Sequence, residues 1–191
     1  MSRFTATLVL WMSTLFCLNF AIAQNTYYWS HNQKIPIQQD RRAVAIHFSE
    51  TQNTSELITQ LDENELITKL EWQAPAQRLL LFFESPQTQD EQELLKTLGL
   101  EAENVRSLSY AYQLQDGFQV WLTHHLVFEP ERGVTANEIS AFLDGINATL
   151  TKTEFGVSTL EVNDINNVLP LANRLRESGL AKWAHPDFYA K

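Results

Sequence analysis

Gln119-Val-Trp-Leu-Thr-His-His-Leu-Val-Phe128, followed by Thr135-Ala-Asn-Glu138 and the apolar positions Ile139, Phe142, Leu143 and Ile146, decides how this chain is read. The first stretch is dense in β-branched and aromatic residues and reads as a strand. Thr135-x-x-Glu138 is a capping box, in which the hydroxyl and the carboxylate each satisfy an orphan amide at a helix start. The four apolar positions then fall at i, i+3, i+4 and i+7, one face of an amphipathic helix that has to lie on a sheet. Thr149 to Glu154 and Val157 to Val162 form a hairpin about Phe155-Gly156. Asn166 or Asn167 caps a last helix with Leu169, Ala172 and Leu175 facing inward. Pro170 fits its first turn, where a missing amide costs nothing. Gly179 ends it in a left-handed residue, and Leu180 to Ala184 returns as a strand.

Upstream, the same order of elements runs once before. Ala43 to Phe48 alternates as a strand, and a helix from Thr54 carries Leu57, Ile58 and Leu61. Lys69 to Gln73 and Arg78 to Phe83 pair across Ala74-Pro-Ala76. Thr88-x-x-Glu91 reads as a second capping box, opening a helix with Leu94, Leu95 and Leu98 that Gly99 stops, before the strand Val105 to Tyr112. Strand-helix-strand-strand-helix-strand is the split βαβ pattern. The expected class is therefore α+β, with two tandem ferredoxin-like (βαββαβ) units at residues 42–116 and 117–184. Each has an antiparallel sheet with helices on one face. A short hairpin at residues 24–41 precedes them, with Tyr27-Tyr-Trp29 and Lys34-Ile-Pro-Ile37 around the turn Ser30-His-Asn-Gln33. The aromatic set Trp121, Trp183, Tyr110, Tyr112, Phe118 and Phe128 reads as core. The other face of each sheet has to be solvated or to bind something.

Residues 1–23 carry Arg3, an apolar run from Leu8 to Phe20 and the small-x-small site Ala21-Ile22-Ala23, which together read as a cleaved export signal. The expected location is secreted or periplasmic, without stable membrane anchoring. Cys17, the single cysteine, lies inside that signal, which leaves the mature chain without a disulfide or a thiolate metal site. Removing Arg3 from the 14 basic residues leaves 13 against 23 acidic ones, a balance that disfavours nucleic acid.

Catalytic signatures are sparse. Gly156-Val-Ser158-Thr-Leu160 lacks the second glycine of a nucleophile elbow and falls in a hairpin. His124 and His125 are strand neighbours whose side chains point to opposite faces, so they cannot share a metal. His185 precedes a proline, and no cation-binding loop accompanies Glu129, Glu131 or the run Asp90-Glu-Gln-Glu93. Asn53-Thr-Ser55 and Asn147-Ala-Thr149 match glycosylation sequons by chance. The expectation is a chain that is not an enzyme and takes no metal and no cofactor.

Leu171-Ala-Asn-Arg-Leu-x-Glu-Ser-Gly-Leu-x-x-Trp-Ala-x-Pro-Asp-Phe188 resembles the close of the N-terminal propeptide of secreted bacterial subtilisin-like serine proteases, and the aromatic opening is similar to the start of their long proregions. The blocks around that family's catalytic Asp, His and Ser are not found. The resemblance implies a stand-alone inhibitor or folding chaperone of a subtilisin-like serine protease, monomeric when free. It implies an open sheet face packed on two protease helices, with Glu154 as a contact to them. It also implies a C-terminal tail lying product-like in the substrate cleft, with Phe188, Tyr189, Ala190 and Lys191 in the nonprimed subsites. Pro186 cannot donate in a central ladder and biases His185 toward extended backbone, so residues 185–191, His185-Pro-Asp-Phe-Tyr-Ala-Lys191, are expected to leave the sheet. The competing readings are an inactive remnant of a truncated proenzyme and an extracellular ligand-binding or adhesion module, which a deep apolar pocket between the units would favour.

Overall fold

The computed structural model describes residues 26–49 and 54–190. The segment expected to be an export signal, with Cys17, and also Asn53 and Lys191 lie outside the described residues. The strands are β1 (Tyr27–Ser30), β2 (Gln33–Pro36), β3 (Gln38–Phe48), β4 (Ile67–Gln73), β5 (Arg78–Phe83), β6 (Val105–Gln113), β7 (Gln119–Pro130), β8 (Ala148–Glu154), β9 (Val157–Val162) and β10 (Ala181–Ala190). The helices are α1 (Thr54–Asp62), α2 (Glu91–Thr97), α3 (Ala136–Leu143) and α4 (Val168–Glu177).

Two tandem ferredoxin-like units, each with its own sheet, are not what forms. Strands β3 to β10 make one eight-stranded antiparallel sheet, ordered β4-β5-β3-β6-β7-β9-β8, with β10 also paired to β7. The fusion runs through β6 and β7, which pair at Tyr112↔Val120 and Gln113↔Gln119 across the turn at Gly117, where φ is +86°. Repetition of element order reports local periodicity, and it is silent about a hairpin that joins the last strand of one repeat to the first of the next. Asp40 reinforces the seam. Although buried, it accepts from Arg42 Nε at 3.0 Å and from Gln119 Nε2 at 2.9 Å, tying β3 to β7.

Two apolar clusters cover one face of each half. Leu61 of α1 and Leu94 and Leu95 of α2 pack with Val44, Ile46, Leu79, Leu81 and Leu108. Ile139 of α3 and Leu171, Ala172 and Leu175 of α4 pack with Leu122, Leu126, Phe128, Leu160 and Ala184. A third, smaller cluster lies on the opposite face of the first half. Ala43, Ala45, Leu80 and Ala111 leave shallow relief there, and Trp121 and Tyr189 fill it. That face is therefore closed, not free. Phe118, read as core, is 62% exposed in the turn before β7.

Local signals are resolved in detail. Thr135 accepts from the Glu138 amide at 3.3 Å and returns its own amide to Glu138 Oε2 at 2.8 Å, completing the capping box of α3. The Thr88 capping box does not form. Asp90 accepts from the Glu93 amide at 2.8 Å and starts α2 two residues later, because an aspartate competes well for an N-cap position. Likewise Asp164, not Asn166 or Asn167, makes the side-chain bond, and it caps the short turn Ile165–Asn167 ahead of α4. The leading hairpin docks on α4, with Asn173 Nδ2 donating to the Tyr27 carbonyl at 2.8 Å and Tyr27 Oη to Glu177 at 2.6 Å.

Candidate functional site

The residues expected to form a departing tail remain in the sheet. In β10, His185 lies opposite Val127, Pro186 opposite Leu126, Phe188 opposite Leu122, Tyr189 opposite Trp121 and Ala190 opposite Val120. Pro186 is tolerated because β10 pairs with β7 alone and the register shifts directly after it, so no ladder bond waits for the missing amide. Asp187 sits in that shift, exposed, and accepts from Thr123 Oγ1 at 2.9 Å. His185 is half-buried, its ring 5.5 Å from Tyr28 and 6.4 Å from Trp183, and burial lowers its pKa. It opens on a cleft of about 470 Å³ whose other walls include His31, Arg176, Lys182 and Trp183.

At the seam between the two halves stands a polar cluster that the sequence did not announce. Tyr189 stacks on Trp121 at 5.5 Å and 11°, and its ring lies 6.4 Å from that of His47. His47 is 6.0 Å from His124, again ring to ring. The His124 Nδ1–H donates to the Val162 carbonyl at 2.8 Å, which leaves Nε2 to accept from the Ser107 hydroxyl at 2.9 Å in the neutral ring. Burial pushes His47 down to about 4, with the nearby charges of Arg78, His124 and Arg106 acting in the same direction. Burial raises the Tyr189 phenol, and the neighbouring Arg78 guanidinium acts in the opposite direction. Ser107 and His124 are thus a hydroxyl–imidazole pair, with the ring oriented by the Val162 backbone carbonyl and not by a carboxylate. The cluster as a whole is a packed joint between the two halves of the sheet.

The second half of the sheet presents a different surface. Val127 lies between Thr159 and His185, His125 opposite Glu161, and Glu129 opposite Trp183. Alternation places these side chains on one face, away from α3 and α4, and all are half-buried. Glu129 is held by Lys182 Nζ at 3.0 Å and Trp183 Nε1 at 2.7 Å, which together lower its pKa. Glu154 ends β8, paired with Lys152 at 2.9 Å and exposed. Two strands separate it from β10, so the two parts of the expected interface are not adjacent. Next to it, Phe155 at the hairpin tip is fully exposed, a feature the strand pattern did not single out.

Ser158 lies buried within β9, with its Oγ 3.1 Å from Thr153 Oγ1, and not in a strand-to-helix turn. Among the described residues no group of three His, Cys, Asp or Glu side chains could hold a metal ion, and no helix is long and apolar enough to cross a membrane. No known protein family matches the sequence, and neither the curated proteins nor the solved structures contain a match.

Proposed function

We propose that the chain binds a subtilisin-like serine protease as a propeptide-like inhibitor or folding helper, and that it does so through the uncovered face of β10, β7, β9 and β8. The observation that carries this reading is an asymmetry. The helix-free face of the first half is filled by Trp121 and Tyr189, whereas that of the second half has no helix or strand across it and is half-exposed at Val127 and Thr159. The segment that resembles the protease propeptides, Leu171 to Phe188, supplies α4 and β10, which back and border this face. A rigid sheet loses little freedom on docking, so a standard interface of about 1,600 Å² can bind tightly.

The packing of the last strand shifts the weight of the interaction. Insertion of His185 to Ala190 into a substrate cleft would require Tyr189 to leave Trp121, so the sheet face, not the tail, is the primary contact. The test is a progress curve of several subtilisin-type proteases with the purified chain, beside Val127→Asp and Thr159→Arg. Dose-dependent inhibition by the parent, weakened more than about tenfold in both variants, supports the reading. Plain digestion of the parent by every protease removes it.

A further inference from the structure

The turn between β8 and β9 is built from the wrong residue for its shape. Phe155 has φ +52° and Gly156 φ +82°, and Glu154 pairs directly with Val157. Two consecutive residues at positive φ make a two-residue hairpin turn of the type that strongly favours Asn-Gly or Asp-Gly. A bulky residue at the first position is a steric outlier, because its Cβ crowds the following carbonyl. Such a cost is ordinarily offset by burial. Here none occurs, since the ring is fully exposed and touches no apolar cluster. Leu150, further back on the same strand, is also 47% exposed, while Lys152 and Glu154 neutralise each other beside the tip.

We infer that Phe155 is an anchor that enters an apolar socket on the protease partner. This rests on the proposed protease binding, and adds the residue that fixes where the chain sits. The tip joins β8 to β9, the strand that carries Val157 and Thr159, so the exposed ring stands at the end of the same hairpin that borders the proposed face. A large, rigid side chain buried on binding supplies contact area at low ordering cost. The neighbouring Lys152–Glu154 pair brings no net charge, which suits a socket that is apolar and not charged.

The test is calorimetric titration of subtilisin-type proteases, inactivated at the catalytic serine, with the whole chain and with Phe155→Asn. Asparagine suits the left-handed position, so the variant should melt at the same temperature or higher. Its affinity should nevertheless fall by at least about tenfold. Equal affinity of variant and parent overturns the anchor and leaves the protease reading standing. A parent that binds none of the proteases overturns both. Sedimentation of the free chain supplies the last outcome: a dimer that Phe155→Asn dissolves assigns the ring to a second copy and also overturns the proposal.

Discussion

The guanidinium carbon of Arg78 lies 3.2 Å from the centroid of the Tyr189 ring, the same ring that stacks on Trp121. One residue from β5 and one from β10 thus meet across the seam, and a cation on an aromatic face shielded from water is worth more than an exposed pair. Tyr189→Ala should cost about 3 to 5 kcal/mol in urea unfolding, the range for emptying a large aromatic site. Tyr189→Phe should cost much less, about 1 kcal/mol, since the ring keeps its place under Arg78 and against Trp121 and only the hydroxyl is lost. A loss in the phenylalanine variant as large as that in the alanine one would mean that the hydroxyl, not the ring, carries the contact.

His47 makes stability depend on pH. An unfolded histidine titrates near 6.5, so below that value the unfolded chain takes up a proton that native His47, at about 4, refuses. The stability is full above pH 6.5 and is lost as pH falls toward 4, by roughly 3 kcal/mol at most. His124 and His185, also lowered by burial, act in the same sense. Urea midpoints at pH 7.5 and 5.0 should fall for the parent and fall clearly less for His47→Leu. Parallel shifts would place the acid sensitivity elsewhere.

Deleting His185 to Lys191 should do more than remove a tail. It strips Tyr189 from Trp121 and uncovers Leu122 and Leu126 along β7, so the truncated chain should lose its cooperative thermal transition by circular dichroism. A sharp melt within a few degrees of the parent would contradict the pairing of β10 beyond Pro186.

Thr135→Ala removes one half of the capping box of α3 and should lower stability by about 1 kcal/mol. The midpoint of chemical unfolding reads this directly, and an unchanged midpoint would mean that the box contributes nothing to the folded state.

What was legible in the sequence is local. The capping box at Thr135, the inward face Ile139, Phe142 and Leu143, and Pro170 in the first turn of α4 all depend on neighbours within one or two turns, and the structure has them. The single sheet was not legible, because its seam depends on two register pairs between β6 and β7 and on Trp121 meeting a residue far along the chain. Pro186 was misleading for a physical reason. It forbids a central strand, but β10 has only one neighbour in the sheet and needs no bond from that position. The polar joint of His47, Arg78 and His124 left no motif, since its members come from three different strands.

Tyr189, two residues from the C-terminal end of the sequence, is the lid on a face whose floor is laid by Ala43, Ala45, Leu80 and Ala111. Until that residue has emerged and docked, the earlier strands have an apolar surface in water and no local substitute for its cover. Folding is therefore paced by a long-range closure, which is slow in chains dominated by distant pairings. Any state in which β10 has not docked therefore presents that floor to solvent as a sticky surface.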